Sequence, residues 1–147
     1  MVITNDFILT IIGSGGDGVI AAGEILLSAS AKEGLYGFLL KSFGPQIRGG
    51  ESSIKLRISN KEFFTQGDFT NVLLVYNWAD FSRFKTEYDM AENGFVISDS
   101  DDPLNPFEQS LPWKEKNLKN IQIPIAKLTK EKTGSSVAKN IFSLGIL

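Results

Sequence analysis

The sequence predicts a three-layer α/β domain on a mostly parallel sheet, with a Rossmann-like glycine loop after the first strand. Three observations predict it. Residues 7–12 form a short apolar run that ends at a glycine. Residues 17–33 carry a helical apolar period that stops at Gly34. Residues 37–42 then return to a second apolar run. Strand, helix and strand in this order make a parallel unit with a right-handed crossover, so the runs 7–12 and 37–42 are expected side by side.

Each element follows from its own pattern. Ile20, Gly23, Leu27 and Ala31 recur at helical spacing. Residues 43–50 hold three glycines and a proline, a turn-rich loop too long for a simple hairpin. Beyond it, Ile54, Leu56 and Ile58 alternate with Ser53, Lys55 and Arg57, the mark of a half-exposed strand. Asn60-Lys61 is read as a two-residue turn into a hairpin partner at 62–65. The run 72–76 is wholly apolar and suits a central strand.

Residues 77–88 read as a helix with Phe81, Phe84 and Tyr88 on one face, and 94–98 as another strand ending in the acidic loop 99–103. The stretch 104–119, with Pro106, Pro112 and Trp113, carries no clear period. The last strand is expected at 121–124 and the last helix at 135–144. That helix bears an apolar stripe of Val137, Ile141 and Leu144, and the sequence stops at Gly145-Ile146-Leu147. The expectation is one domain over 1–147, truncated at its C-terminus, that self-associates as a homo-oligomer through this stripe.

Composition narrows the function. A chain of 147 residues with mixed charges and a net charge of −2 has no nucleic-acid footprint. It contains no cysteine, so it carries no thiolate nucleophile and no cysteine-ligated iron–sulfur cluster. It contains no histidine, the commonest general base and metal ligand. No catalytic or metal-binding residue is therefore assigned. No apolar run reaches the ~20 residues that span a bilayer, and residues 1–6 lack a basic signal region. The expected location is cytoplasmic, with no membrane contact. Asp99, Ser100, Asp101 and Asp102 lack the spaced ligands of a calcium loop and are read as a solvated turn. Trp78, Phe81 and Phe84 are read as core or domain interface and not as a base-stacking platform.

Two loops carry the functional information. The first, Gly13-Ser14-Gly15-Gly16-Asp17-Gly18, matches GxGxxG between a strand and a helix. Glycines let the backbone approach an anion, and the helix N-terminus adds free N–H groups and partial positive charge. The same glycines also serve plain tight packing. A dinucleotide site would further want an acid closing the second strand, where Lys41 stands instead, and Asp17 puts negative charge in the loop itself. The second loop, 42–50, sets Arg48 beside Gly49 and Gly50, where a guanidinium can reach a phosphate or carboxylate, or make an internal ion pair. Both loops follow strand C-terminal ends, where open α/β sheets bind ligands.

The segments GSGGDGVIAAGEILLSASAKEGL and KSFGPQIRGGESSIKLRIS resemble the gamma domain of the 2-oxoacid:ferredoxin oxidoreductases. The continuation TQGDFTNVLLVYNWADFSRF is similar to the branch in which this domain is fused ahead of the alpha domain of one long subunit, and pyruvate, 2-oxoglutarate and branched-chain oxoacids such as ketoisovalerate all stay open as substrates. The resemblance implies an enzyme that decarboxylates a 2-oxoacid oxidatively on thiamine diphosphate. Electrons then pass through iron–sulfur clusters to ferredoxin, and the acyl group passes to coenzyme A. Thiamine diphosphate and the clusters belong to the alpha and beta partners, and ferredoxin is met only indirectly. By this resemblance Gly13, Ser14, Gly15, Gly16, Asp17 and Gly18 belong to a partial coenzyme A site, with Lys41 and Arg48 as basic partners. Many family members have glutamine where Asp17 stands and an acid where Gln46 stands. A stand-alone nucleotide-binding module and a purely structural subunit are the alternatives.

A chain without histidine, cysteine or a thiamine site is expected to be inactive alone. Incubated with 2-oxoacids, coenzyme A and an oxidised acceptor, it should reduce none of the acceptor. Measurable turnover would reveal a catalytic centre on this chain.

Overall fold

In a computed structural model the described residues are 6–45, 49–104, 113–135 and 138–147. The sheet comprises β1 (Asp6–Ser14), β2 (Tyr36–Phe43), β3 (Glu51–Ser59), β4 (Phe69–Val75), β5 (Asp89–Asp99) and β6 (Lys119–Ile123). The helices are α1 (Val19–Lys32), α2 (Trp78–Phe84), α3 (Ile125–Thr133) and α4 (Lys139–Leu144). None of the described helices is long and apolar enough to cross a membrane.

The six strands lie in the order β2-β3-β1-β4-β5-β6. β1, β4, β5 and β6 pair in parallel, whereas β3 is antiparallel to both β1 and β2. The mostly parallel three-layer reading stands. The expected contact of 7–12 with 37–42 does not, because β3 fills the slot between them. The crossover through α1 skips one strand position, and β3 returns antiparallel beside β2, so the glycine-rich loop does join a hairpin. The partner expected at 62–65 is absent, since both edges of β3 are already taken.

Alternation along the central strands divides the core in two. Ile12, Leu73, Val75 and Val96 point to one face and pack with Trp78, Phe81 and Phe84 of α2, with Trp113 and with Tyr88. Trp78 and Trp113 each meet the Phe81 ring edge-on, at 5.0 and 5.6 Å between centroids. Leu9, Ile11, Leu74 and Ile97 point to the other face, beneath Val19 and Ala22 of α1 and Ile125 of α3. The aromatic stripe is therefore core, as expected. α1 buries Val19, Ala22, Gly23 and Ser30, a face rotated from the predicted one that leaves Ala31 exposed. At Gly23 a Cβ would stand 2.9 Å from Leu39 Cδ1 and 3.3 Å from Ile54, so a larger residue would make these side chains shift to keep α1 this close to the sheet.

Two acidic side chains do more than the solvated turn expected of them. Asp99 is buried, and its Oδ2 accepts the Ala126 N–H at 2.8 Å, capping α3. Asp102 Oδ2 accepts the Trp78 N–H at 2.7 Å at the start of α2. Each carboxylate meets the positive end of a helix dipole. The helix expected over 135–144 begins at Lys139, and α3 before it was not foreseen. Of the apolar stripe, Val137 lies outside the described residues and Ile141 is exposed. Leu144, Ile146 and Leu147 pack onto the α1-side core.

Tyr76 closes β4 with its ring in this core and its hydroxyl buried without a hydrogen-bond partner. Burial pushes its ionisation up to about 12; the nearby Ser143 hydroxyl opposes the shift and the Asp17 charge adds to it. The folded state thus holds the proton more tightly than an unfolded tyrosine at 10. This contribution to stability is full below pH 10 and is lost as pH rises toward 12. Tyr76→Phe should unfold at an equal or higher denaturant midpoint near neutrality, because an unsatisfied hydroxyl is removed. It should also lose less stability than the parent chain above pH 10. A lower midpoint at neutral pH would show that the hydroxyl has a partner.

Candidate functional site

The glycine loop forms where β1 turns into α1. The Asp17 N–H donates to Ser14 O at 3.0 Å, closing a tight turn whose third residue, Gly16, has φ 102°. A left-handed residue at that place is the demand of a type II turn. Gly18, at φ 76°, then starts α1. The backbone N–H groups of Val19, Ile20 and Ala21 reach no backbone acceptor among the described residues; the first one engaged is Ala22, bonded to Gly18 O at 2.9 Å. The exposed Gly16 and the free first turn of α1 leave N–H groups available to an anion.

The loop side chains are committed inward. Asp17 Oδ2 accepts the Ser14 N–H at 3.0 Å, and Oδ1 pairs with Lys139 of α4 at 3.0 Å. The Ser14 hydroxyl donates to Asp80 Oδ2 at 2.6 Å and accepts from Asn77 Nδ2 at 2.9 Å. Asn77 also caps α2, its Oδ1 accepting the Asp80 N–H at 2.9 Å. Gly13 lies under the Tyr76 ring, 2.8 Å from Cδ2 to an added Cβ. Asp17 is thus neutralised by a lysine 122 positions away and points away from a would-be ligand.

Among the described residues, the second loop meets the first through backbone. Ser14 stands opposite Glu51 in the β1–β3 register, which brings the two turns together. The Gly15 N–H donates to Gly50 O at 2.7 Å. A Cβ on Gly15 would lie 3.2 Å from Gly49 Cα and 3.3 Å from Gly50 O. Between the turns runs a groove of about 390 Å³, lined by Ser14, Gly15, Gly16, Gly18, the first turn of α1, Phe43, Gly44 and Gly49–Ser52. Its size falls within the range of small-molecule sites.

The fit to a phosphate is good on the α1 side, where glycines and free N–H groups form the wall. It is poorer on the β3 side, where Glu51 lines the groove with its Oε2 enclosed against Gly44 and without a partner among the described residues. Among the predicted basic partners, Lys41 reaches the same end of the sheet but is held by Glu24 of α1 at 2.5 Å. Arg48, with Gln46 and Ile47, lies outside the described residues. The Asn77–Asp80 capping pair was legible as an N-cap followed three residues on by an acid. Lys139 left no local signal.

α4 lies on the other flank of the loop. An added Cβ on Gly18 would fall 2.6 Å from Asn140 Cγ and 2.8 Å from its Cβ. β1 feeds α1 toward one edge of the sheet and β4 feeds α2 toward the other, so the switch point lies between β1 and β4. Open α/β sheets bind dinucleotides at that crevice. Here α4 covers its Gly18 side, and the accessible groove is on the β3 side.

Comparison with known proteins agrees on one family. The family model described as pyruvate ferredoxin/flavodoxin oxidoreductase matches residues 8–147. The 2-oxoglutarate synthase subunit KorC of Methanothermobacter marburgensis is 29% identical over 95% of this chain and 74% of its own length. The ketoisovalerate oxidoreductase subunit VorA of the same organism is 31% identical over 93% of this chain but 27% of its own. Among solved structures, a 2-oxoglutarate:ferredoxin oxidoreductase from Magnetococcus marinus, with 2-oxoglutarate, coenzyme A and succinyl-CoA bound, superposes with a TM-score of 0.81 at 26% identity. It covers 97% of this chain and 24% of that one. The gamma subunit of a keto/oxoacid ferredoxin oxidoreductase from Geobacter sulfurreducens gives 0.74 at 26% identity, over 97% and 74%.

The loop geometry separates two glycines that a motif treats alike. Gly16 and Gly18 both have positive φ, but only Gly18 faces α4. Gly16→Ala should cost about 1–2 kcal/mol in chemical denaturation, the strain of a left-handed alanine. Gly18→Ala should cost more, and Asn140→Gly in the same chain should recover the excess. Equal costs for both single variants would contradict the contact.

Proposed function

This chain belongs to the pyruvate ferredoxin/flavodoxin oxidoreductase family, and from that premise we propose that it is the gamma domain of a thiamine diphosphate-dependent 2-oxoacid:ferredoxin oxidoreductase. In this reading it holds part of the coenzyme A site and docks on alpha and beta chains that carry thiamine diphosphate and the iron–sulfur clusters. The observation that carries the proposal is the groove between two backbone-paired glycine turns beside the free N-terminus of α1. The coenzyme A-bound relative, alike over 97% of this chain, supports the choice of ligand.

Coenzyme A, when bound, supplies the thiol that accepts the acyl group. The residues of this chain bind and orient it. The N–H groups of Gly16, Val19, Ile20 and Ala21 would face a phosphate, aided by the partial charge at the start of α1. Arg48 is the cation proposed to meet a second phosphate, as a planar fork able to bond two oxygens. Lys41 is a weaker candidate, because it would first have to leave Glu24. Asp17 holds the turn and Lys139, and so repels the ligand less than its place in the motif suggests.

A second reading, in which the loops are purely structural, is favoured by one observation: the Gly15 N–H is already used by Gly50. A stand-alone dinucleotide-binding module is disfavoured by α4 on the flank of Gly18. Gly15→Val does not separate the first two readings, since it would force the turns apart whatever their role. Arg48→Ala and Gly16→Ala in the assembled enzyme do. Each should raise the KM for coenzyme A, Arg48→Ala by about 5- to 150-fold, the worth of ~1–3 kcal/mol for a charged hydrogen bond. The decarboxylation half-reaction without coenzyme A should keep its rate. An unchanged KM in both variants, with the complex intact, would hand the assignment to the structural reading.

A further inference from the structure

The two edges of the sheet are guarded unequally. β6 is short, presents Lys119, Asn120 and Gln122 to solvent, and runs into Pro124. Short length, charge and proline are the usual defences of an exposed edge. β2 is longer, has no proline and carries a single charge. It pairs with β3 in unbroken register from Tyr36 to Phe43, and it holds Tyr36, Phe38 and Phe43 at 49%, 44% and 63% exposure. Its one charge, Lys41, is already paired with Glu24.

The direction of its free backbone groups follows from one bond. The Gly44 N–H donates to Glu51 O at 2.7 Å, so the even-numbered residues of β2 bond inward to β3. Gly37, Leu39, Lys41 and Phe43 then turn their N–H and C=O groups outward, with no partner among the described residues. An antiparallel copy of the same strand uses all of them in a single register, Gly37 with Phe43 and Leu39 with Lys41, with Leu40 meeting Leu40 on the two-fold axis.

The side chains accept that register. On the α1 face each Phe43 ring lies across from a glycine, and each Lys41 across from Leu39. Each Lys41 keeps its own Glu24 partner, so no bare cation is brought to the seam. On the opposite face Phe38 meets Ser42 and Leu40 meets itself. We propose that the β2 edge is an isologous interface, on which a second copy of this chain adds its own β2 antiparallel through Gly37, Leu39, Lys41 and Phe43 to make one continuous sheet.

Sedimentation velocity of the 147-residue chain over a concentration series, with hydrogen exchange followed residue by residue, tests this. The mass should double as concentration rises. In step with it, the amides of Gly37, Leu39, Lys41 and Phe43 should become protected, while Phe38, Leu40 and Ser42 stay unchanged. Leu40→Lys and Leu40→Glu should each remain monomeric, and an equal mixture of the two should dimerise. If either variant fails to fold, the exchange pattern of the parent chain decides alone. A monomer at every soluble concentration would overturn the proposal. So would a dimer whose odd-numbered β2 amides exchange freely, or protection that arises only when a different polypeptide is bound.

Discussion

One hydrogen bond organises the functional end of this molecule: the Gly15 N–H donating to Gly50 O. It ties the turn after β1 to the turn before β3, and the glycine at 15 lets the two turns approach, since a Cβ there would press on Gly49 and Gly50 at 3.2–3.3 Å. The bond in turn depends on sheet order. Inserting β3 between β1 and β2 sets Ser14 opposite Glu51 and delivers both turns to one end of adjacent strands. Had β2 been the neighbour of β1 instead, Gly50 at the start of β3 would stand a strand further away, out of reach of the Gly15 N–H.

Electrostatics in the loop follow from the same economy of space. Asp17 would be a poor neighbour for a phosphate if its carboxylate pointed outward. It turns back instead onto the Ser14 N–H and Lys139, while Ser14 itself is drawn to Asp80 and Asn77. What remains facing the groove from this side is backbone, the part of a loop that can hold an anion without a net charge. α4, pinned by Lys139 and resting on Gly18, covers one flank of the loop and leaves the β3 flank open. This chain therefore carries a dinucleotide-type sequence motif whose Gly18 flank is closed by α4.

Much of the fold was legible because it rests on local periodicity. The apolar runs of β1 and β4, the glycine-opened α1 and the aromatic face of α2 all announce themselves in the sequence. What was not legible depends on contacts distant along the chain. β3 alternates as a strand should, but alternation does not name a partner, so a hairpin with 62–65 looked as good as pairing with β1 and β2. α3 was missed because its apolar positions are few and the carboxylate that accepts its Ala126 N–H is Asp99, 27 residues away. Of the candidate site residues, the glycines and Lys41 were picked out by motif and position. Their engagement by Gly50, Asn140 and Glu24 was not, since those contacts are set by packing.

The central claim is that the groove between the paired glycine turns receives a phosphate of coenzyme A. A structure of the assembled oxidoreductase with coenzyme A bound tests it most directly, read as the distances from the phosphate oxygens to the backbone nitrogens of Gly16, Val19, Ile20 and Ala21. The account predicts at least one phosphate within hydrogen-bonding range of these nitrogens, about 2.7–3.2 Å, with the Gly15–Gly50 bond intact. Coenzyme A bound elsewhere, with a neighbouring domain packed into the groove, would contradict it.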